Sequence, residues 1–207
     1  MRYNSLFTCL LICSICLTSC SASRLLSSWT DESLEQYRLE KVLVVGVAQD
    51  ETKRRIYEDT FVSSLTELDV QAVPSYTVCK QAIEPNTEDL KEVVEKTEAG
   101  AVLITHLVGR NEKDYYHPPQ RINSIDSHFS YGLYGYYPAI YRSVYTPGSY
   151  SGSTKVILET NLYDVQTEKL IWSARSESID PVMTRKYYQK LIDLFLDDLE
   201  KQKIIRP

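Results

Sequence analysis

The run Lys41-Val42-Leu43-Val44-Val45-Gly46-Val47-Ala48 is apolar at consecutive positions rather than at alternate ones. A strand of that kind has to be covered on both faces, so it belongs in the middle of a sheet with helices packed on each side. The flanking sequence supplies such helices. Asp50 is placed to cap a helix in which Tyr57, Phe61, Ser64, Leu65 and Leu68 share one face, leaving Arg54 and Arg55 to solvent. A short strand from Gln71 to Ser75 follows. Thr87 to Thr97 then places Leu90, Val93, Val94 and Thr97 at i, i+3, i+4 and i+7, with Glu88 and Asp89 at the positive end of the helix. Gly100 ends it, and residues 101–108 read as a third strand. This βαβαβ order favours parallel strands joined by right-handed crossovers.

The pattern changes after residue 111. Residues 155–164 alternate, with Val156, Leu158, Thr160 and Leu162 on one face, and a turn at residues 165–168 joins them to residues 169–176 as a β-hairpin. Pro181 is expected to open a last helix with Tyr188, Leu191, Ile192, Phe195 and Leu199 as its buried stripe. The predicted fold class is α/β, mixed α+β, with one mixed sheet and the order βαβαβ, insert, ββα over residues 41–207.

The first nineteen residues form a separate unit. Arg2 precedes an apolar run from Leu6 to Leu17, too short for a permanent membrane span and laid out like a secretory signal. Leu17-Thr18-Ser19-Cys20 then resembles the bacterial lipobox. That resemblance implies cleavage before Cys20, lipid attachment at Cys20 through a diacylglycerol thioether and an amide-linked acyl chain, and stable anchoring, since more than one chain is required for that. Ser21, rather than Asp, follows the cysteine, which implies an outer-membrane location facing the periplasm. Residues 20–40 are polar and read as a lipidated tether of at most roughly 70 Å. With Cys9, Cys13 and Cys16 in the signal and Cys20 acylated, Cys79 would be the single remaining thiol, and it reads as a small half-buried residue.

Four blocks, KVLVVGVAQDETKRRIYEDTF, DVQAVPSY, AGAVLITHLVG and LETNLYDVQTEKLIWSARSE, resemble a family of uncharacterised bacterial envelope lipoproteins. Their core is similar to the N-terminal domain of the translocation protein TolB, a small βα sheet also found in curli-secretion subunits and in a lipoprotein activator of a peptidoglycan synthase. The resemblance implies an interaction module and transfers no catalytic residue. It departs at the hairpin turn, where the family reads Asp-x-x-Thr-Gly-Lys and this chain has Glu168 in place of glycine. If that position takes a positive φ, the side chain costs on the order of 1 kcal/mol.

Motifs of chemistry are sparse. His106, His117 and His128 match no zinc spacing and have no thiolate pair beside them. There is no Gly-x-Ser-x-Gly elbow and no Gly-x-Gly-x-x-Gly after the first strand. Glu58-Asp59 and Asp197-Asp198 read as solvated helix faces. Neither a cofactor nor a metal is expected. The chain carries 28 acidic against 23 basic residues and no basic run, which argues against nucleic acid as a partner. After the signal, no stretch is apolar for long enough to be a transmembrane helix.

The feature that remains is an insert at about residues 111–153, far longer than an ordinary hairpin loop. It holds Tyr131, Tyr134, Tyr136, Tyr137, Tyr141, Tyr145 and Tyr150, interleaved with glycine and serine. Tyrosine offers wide, fairly rigid contact area with a polar tip, so these seven residues are the partner-binding candidates for an envelope protein or a glycan. The alternative is that the rings cover the domain's own sheet or belong to an irregular flap. A membrane-inserting hairpin is disfavoured by Pro118, Pro119, Pro138 and Pro147, which interrupt any strand long enough to span. The expected function is a non-enzymatic, lipid-anchored interaction module of the envelope. The alternatives are a self-assembling subunit of a secretion or adhesion complex, and a cell-wall enzyme.

Overall fold

The computed structural model describes residues 23–31, 33, 37–79, 87–111, 132–137 and 154–206. They form one six-stranded mixed sheet in the order β1-β6-β5-β4-β2-β3. The strands are β1 (Ser23–Thr30), β2 (Lys41–Val47), β3 (Gln71–Pro74), β4 (Ala101–Asn111), β5 (Lys155–Asp164) and β6 (Leu170–Ile179). The helices are α1 (Glu51–Glu67), the single turn α2 (Ser75–Val78), α3 (Thr87–Thr97) and α4 (Arg185–Lys201). A further helical turn spans residues 133–137.

Strand β2 is an interior strand next to the β3 edge, parallel to β3 on one side and to β4 on the other. Its alternate side chains enter two cores. Val42 and Val44 join Tyr57, Phe61, Leu65, Trp172, Leu191 and Phe195 beneath α1 and α4. Leu43, Val45 and Val47 join Leu90, Val93 and Val94 of α3 on the opposite face. Handedness explains the split: β2 to β3 and β3 to β4 move across the sheet in opposite directions, so two right-handed crossovers must use opposite faces. Asp50 caps α1 by accepting from Lys53 N at 3.1 Å.

Beyond β4 the sheet is antiparallel. β4 pairs β5 up to Asn111 against Lys155, and β5 pairs β6 up to Lys155 against Ile179. The insert therefore leaves and rejoins the sheet at one end. Glu168, in the β5–β6 turn, has a φ of 57°, the left-handed region that glycine would occupy without strain.

The structure departs from the sequence reading in four places. Residues 23–30 are not tether: they form the edge strand β1, antiparallel to β6 with Ser23 against Ser178 and Thr30 against Trp172. Residues 37–40 are also held, with Leu39 N donating to Ile204 O at 3.0 Å. Helix α4 begins at Arg185, not near Pro181, because Thr184 is the residue whose side chain accepts from Tyr187 N. Arg54 and Glu58 are buried rather than solvated, and Asp198 is buried as well.

Candidate interaction site

Of the seven tyrosines, the structure describes Tyr134, Tyr136 and Tyr137; Cys20, Tyr131, Tyr141, Tyr145 and Tyr150 lie outside the described residues. The three described ones belong to the turn at residues 133–137, which sits on the α3 face of the sheet. Leu133 N donates to Glu168 O at 3.2 Å, tying the turn to the β5–β6 hairpin, and Tyr136 N closes it by donating to Gly132 O at 3.0 Å. A Cβ on Gly132 would come within 3.3 Å of Glu168 Oε2, so the approach is close.

Leu133, Tyr136 and Tyr137 are core residues here. Tyr136 and Tyr137 are each 2% exposed, and in this arrangement their rings pack on the protein's own sheet. The Tyr136 ring meets Tyr163 at 5.2 Å and the His106 ring edge-on at 6.0 Å between centroids. Tyr134 is half-buried and has the Lys91 ammonium, from α3, 4.7 Å from its ring centroid, a cation–π contact.

Beneath the turn lies a polar cluster supplied by three adjacent strands. Alternation places His106 of β4, Glu159 and Asn161 of β5 and Arg175 of β6 on this same face. Glu159 Oε2 accepts from Arg175 Nε at 2.7 Å, and Glu159 Oε1 accepts from Asn161 Nδ2 at 3.0 Å. The Tyr136 hydroxyl enters this cluster from above. It accepts from Asn161 Nδ2 at 2.5 Å, lies 3.2 Å from His106 Nδ1 and donates to Glu159 Oε1 at 3.4 Å. The phenol has one proton, and the carboxylate is the stronger acceptor. His106 Nδ1 is thereby assigned as a donor to the phenol oxygen. Asn161 Oδ1 and Tyr163 Oη are buried without a hydrogen-bond partner among the described residues.

A second buried carboxylate organises the neighbouring end of the sheet. Glu58 of α1 accepts from Gly46 N at 2.9 Å, Ser75 Oγ at 2.8 Å and Tyr76 N at 3.1 Å, so it joins β2, α1 and α2. Arg54 Nε lies 3.3 Å from Glu58 Oε1 as an ion pair, without hydrogen-bond alignment. Burial raises the Glu58 carboxyl above its ordinary range, against the opposing pull of these donors. Asp198 of α4 plays a similar part on the same face of the sheet, accepting from Trp172 Nε1 at 2.8 Å and Ser28 Oγ at 3.3 Å.

Burial, followed by the nearby Glu159 charge, pushes the Tyr136 phenol far above its ordinary value, so it does not ionise to a nucleophile near neutral pH. Both Glu159 oxygens are engaged. Among the described residues, no group of three or more His, Cys, Asp or Glu side chains is arranged to hold a metal ion. No helix among them is long and apolar enough to cross a membrane. Cys79 is half-buried, as its sequence context suggests.

The fold and this site define a mixed α/β domain whose sheet carries a tyrosine-bearing turn fastened over a polar cluster. No protein-family model matches the chain, and no curated protein matches it. Among solved structures it is similar to the PelC dodecamer from Paraburkholderia phytofirmans, at 12% identity and a TM-score of 0.42. A point variant of the same dodecamer gives 11% identity and a TM-score of 0.43. Each alignment covers 85% of this chain and 96% of the other.

Proposed function

We propose that this protein is a lipid-anchored, non-enzymatic interaction module of the outer membrane, facing the periplasm, that presents its insert to an envelope protein or glycan. The observation that carries the reading is the fastening of the insert. Tyr136 is bonded to Glu159 and Asn161, Leu133 is bonded to Glu168, and Tyr134 is left half-buried beside Lys91. Preorganising a long loop in this way lowers the ordering cost of binding a partner, which is a use that a disordered linker lacks. The lipobox at residues 17–20 and the resemblance of the core blocks to the TolB N-terminal domain support the same reading.

The test is in-cell photocrosslinking from Tyr134 replaced by a photoreactive phenylalanine analogue, followed by mass spectrometry of the adducts. An adduct with an envelope protein or glycan is expected. An adduct with a second copy of this chain would instead favour the self-assembling subunit. No adduct from folded, membrane-localised protein would sink the role of the insert in recognition.

A further inference from the structure

The order of the strands puts the expected lipid, the exposed apolar side chains and a cluster of cations at one end of the molecule. Ser23, the first residue of β1, pairs with Ser178 near the end of β6, so the chain enters the sheet at the end where β4 finishes and β5 begins. From Cys20 to Ser23 are three Cα steps, a reach of at most about 10 Å. The large apolar side chains exposed among the described residues are Leu26, Val108, Ile179 and Val182, the last at 71%. Leu26 and Val108 lie in the halves of β1 and β4 nearest this end, Ile179 is the last residue of β6, and Val182 is in the link to α4. The polar groups between them favour phosphate. Glu177 is paired with Arg24 at 3.0 Å and Lys155 at 3.2 Å, the exposed Asp180 carboxylate accepts from Thr154 N, and Arg185 is exposed on the first turn of α4, so three cations stand against two carboxylates.

We infer that this end of the sheet is a membrane-contacting surface, with Leu26, Ile179 and Val182 seated at the headgroup boundary of the leaflet that holds the lipid. The inference rests on the proposed acylation of Cys20. A tether of two residues cannot hold the domain away from the bilayer, as the expected tether through residue 40 would. Apolar side chains flanked by cations suit the interface between acyl chains and phosphates. Because the anchor already confines the domain, contacts too weak to bind a vesicle by themselves are enough to fix its orientation. The membrane-distal end is then the β5–β6 turn, roughly 30 Å away along a ten-residue strand.

The experiment uses the full-length lipoprotein, purified from the membrane and reconstituted into phosphatidylethanolamine/phosphatidylglycerol vesicles. An environment-sensitive fluorophore is placed at Val182→Cys or Lys169→Cys in a Cys79→Ser background, and the mass of the N-terminal peptide reports acylation. With Cys20 acylated, brominated acyl chains should quench the label at position 182 and leave the label at position 169 unchanged. Equal quenching at the two positions, or none at either, in acylated protein overturns the orientation and leaves the anchor standing. A label at position 182 that is quenched only by a second labelled copy assigns the patch to self-association and also overturns it. An unmodified Cys20 removes the anchor and the inference together.

Discussion

The two faces of the sheet are built on different principles. Under α1 and α4 the centre of the contact is apolar, with Phe61, Trp172 and Phe195 fully buried and their rings stacked or edge-on within 6.4 Å, and the carboxylates of Glu58 and Asp198 are buried beside it. Under α3 and the turn at residues 133–137, an apolar patch gives way to charged and hydrogen-bonded side chains of β4, β5 and β6. The first arrangement is non-directional and depends on volume. The second is directional: it specifies where the insert must sit, at the expense of buried polar atoms such as Asn161 Oδ1.

That contrast can be broken by mutation. Phe195→Ala should cost about 3 to 5 kcal/mol in urea unfolding, because it opens a cavity in a core that cannot collapse to fill it. Glu159→Gln should cost less, about 2 kcal/mol, since Arg175 is partly exposed and can recover water. Equal losses for these two variants would mean that the polar face is as much a structural core as the apolar one. Tyr136→Phe keeps the ring and removes the hydroxyl; a loss of about 1 to 2 kcal/mol is expected, with increased proteolytic cleavage within residues 112–153. Glu168→Gly should raise stability by about 1 kcal/mol, because it relieves a left-handed backbone.

The finest test uses pH. Glu58 has a folded-state pKa above its unfolded value, so the folded protein holds that proton more tightly and the contribution of Glu58 to stability falls as pH rises between the two values. The stability of wild type minus that of Glu58→Gln should therefore be greatest in acid and fall as pH rises through that interval. A difference that rises with pH instead would place the folded pKa below the unfolded one.

The apolar face was largely legible in the sequence. The valine run of β2, the i, i+3, i+4 stripes of α1, α3 and α4, and the alternation of β5 each state a period and a buried side. β1 was not legible. Its register shifts between Leu25 and Ser27, which breaks the period of two, and serines carry much of its pairing with a serine-rich β6. The buried charges escaped for a different reason. Glu58 looks like any helix-surface carboxylate until its donors, twelve to eighteen residues away, are brought to it. Asp198 likewise depends on Trp172, twenty-six residues earlier. For the tyrosines, composition announced a surface-forming segment, yet the inward side of the turn was set by strand alternation at His106, Glu159 and Asn161, which no local pattern in the insert reveals.

The pairing of Ser23 with Ser178 also sets a timetable. The first described strand to be synthesised finds its neighbour in the described sheet among the last ones, a separation of 155 residues at the Ser23–Ser178 hydroxyl contact. Contacts of that sequence separation form slowly, because the loop between them must be closed before pairing stabilises it. Residues 23–30 therefore stay unpaired until β6 is complete. Under the proposed export and acylation of Cys20, that delay keeps residues 23–30 out of the sheet while the cysteine is processed, and completion of the fold then withdraws them.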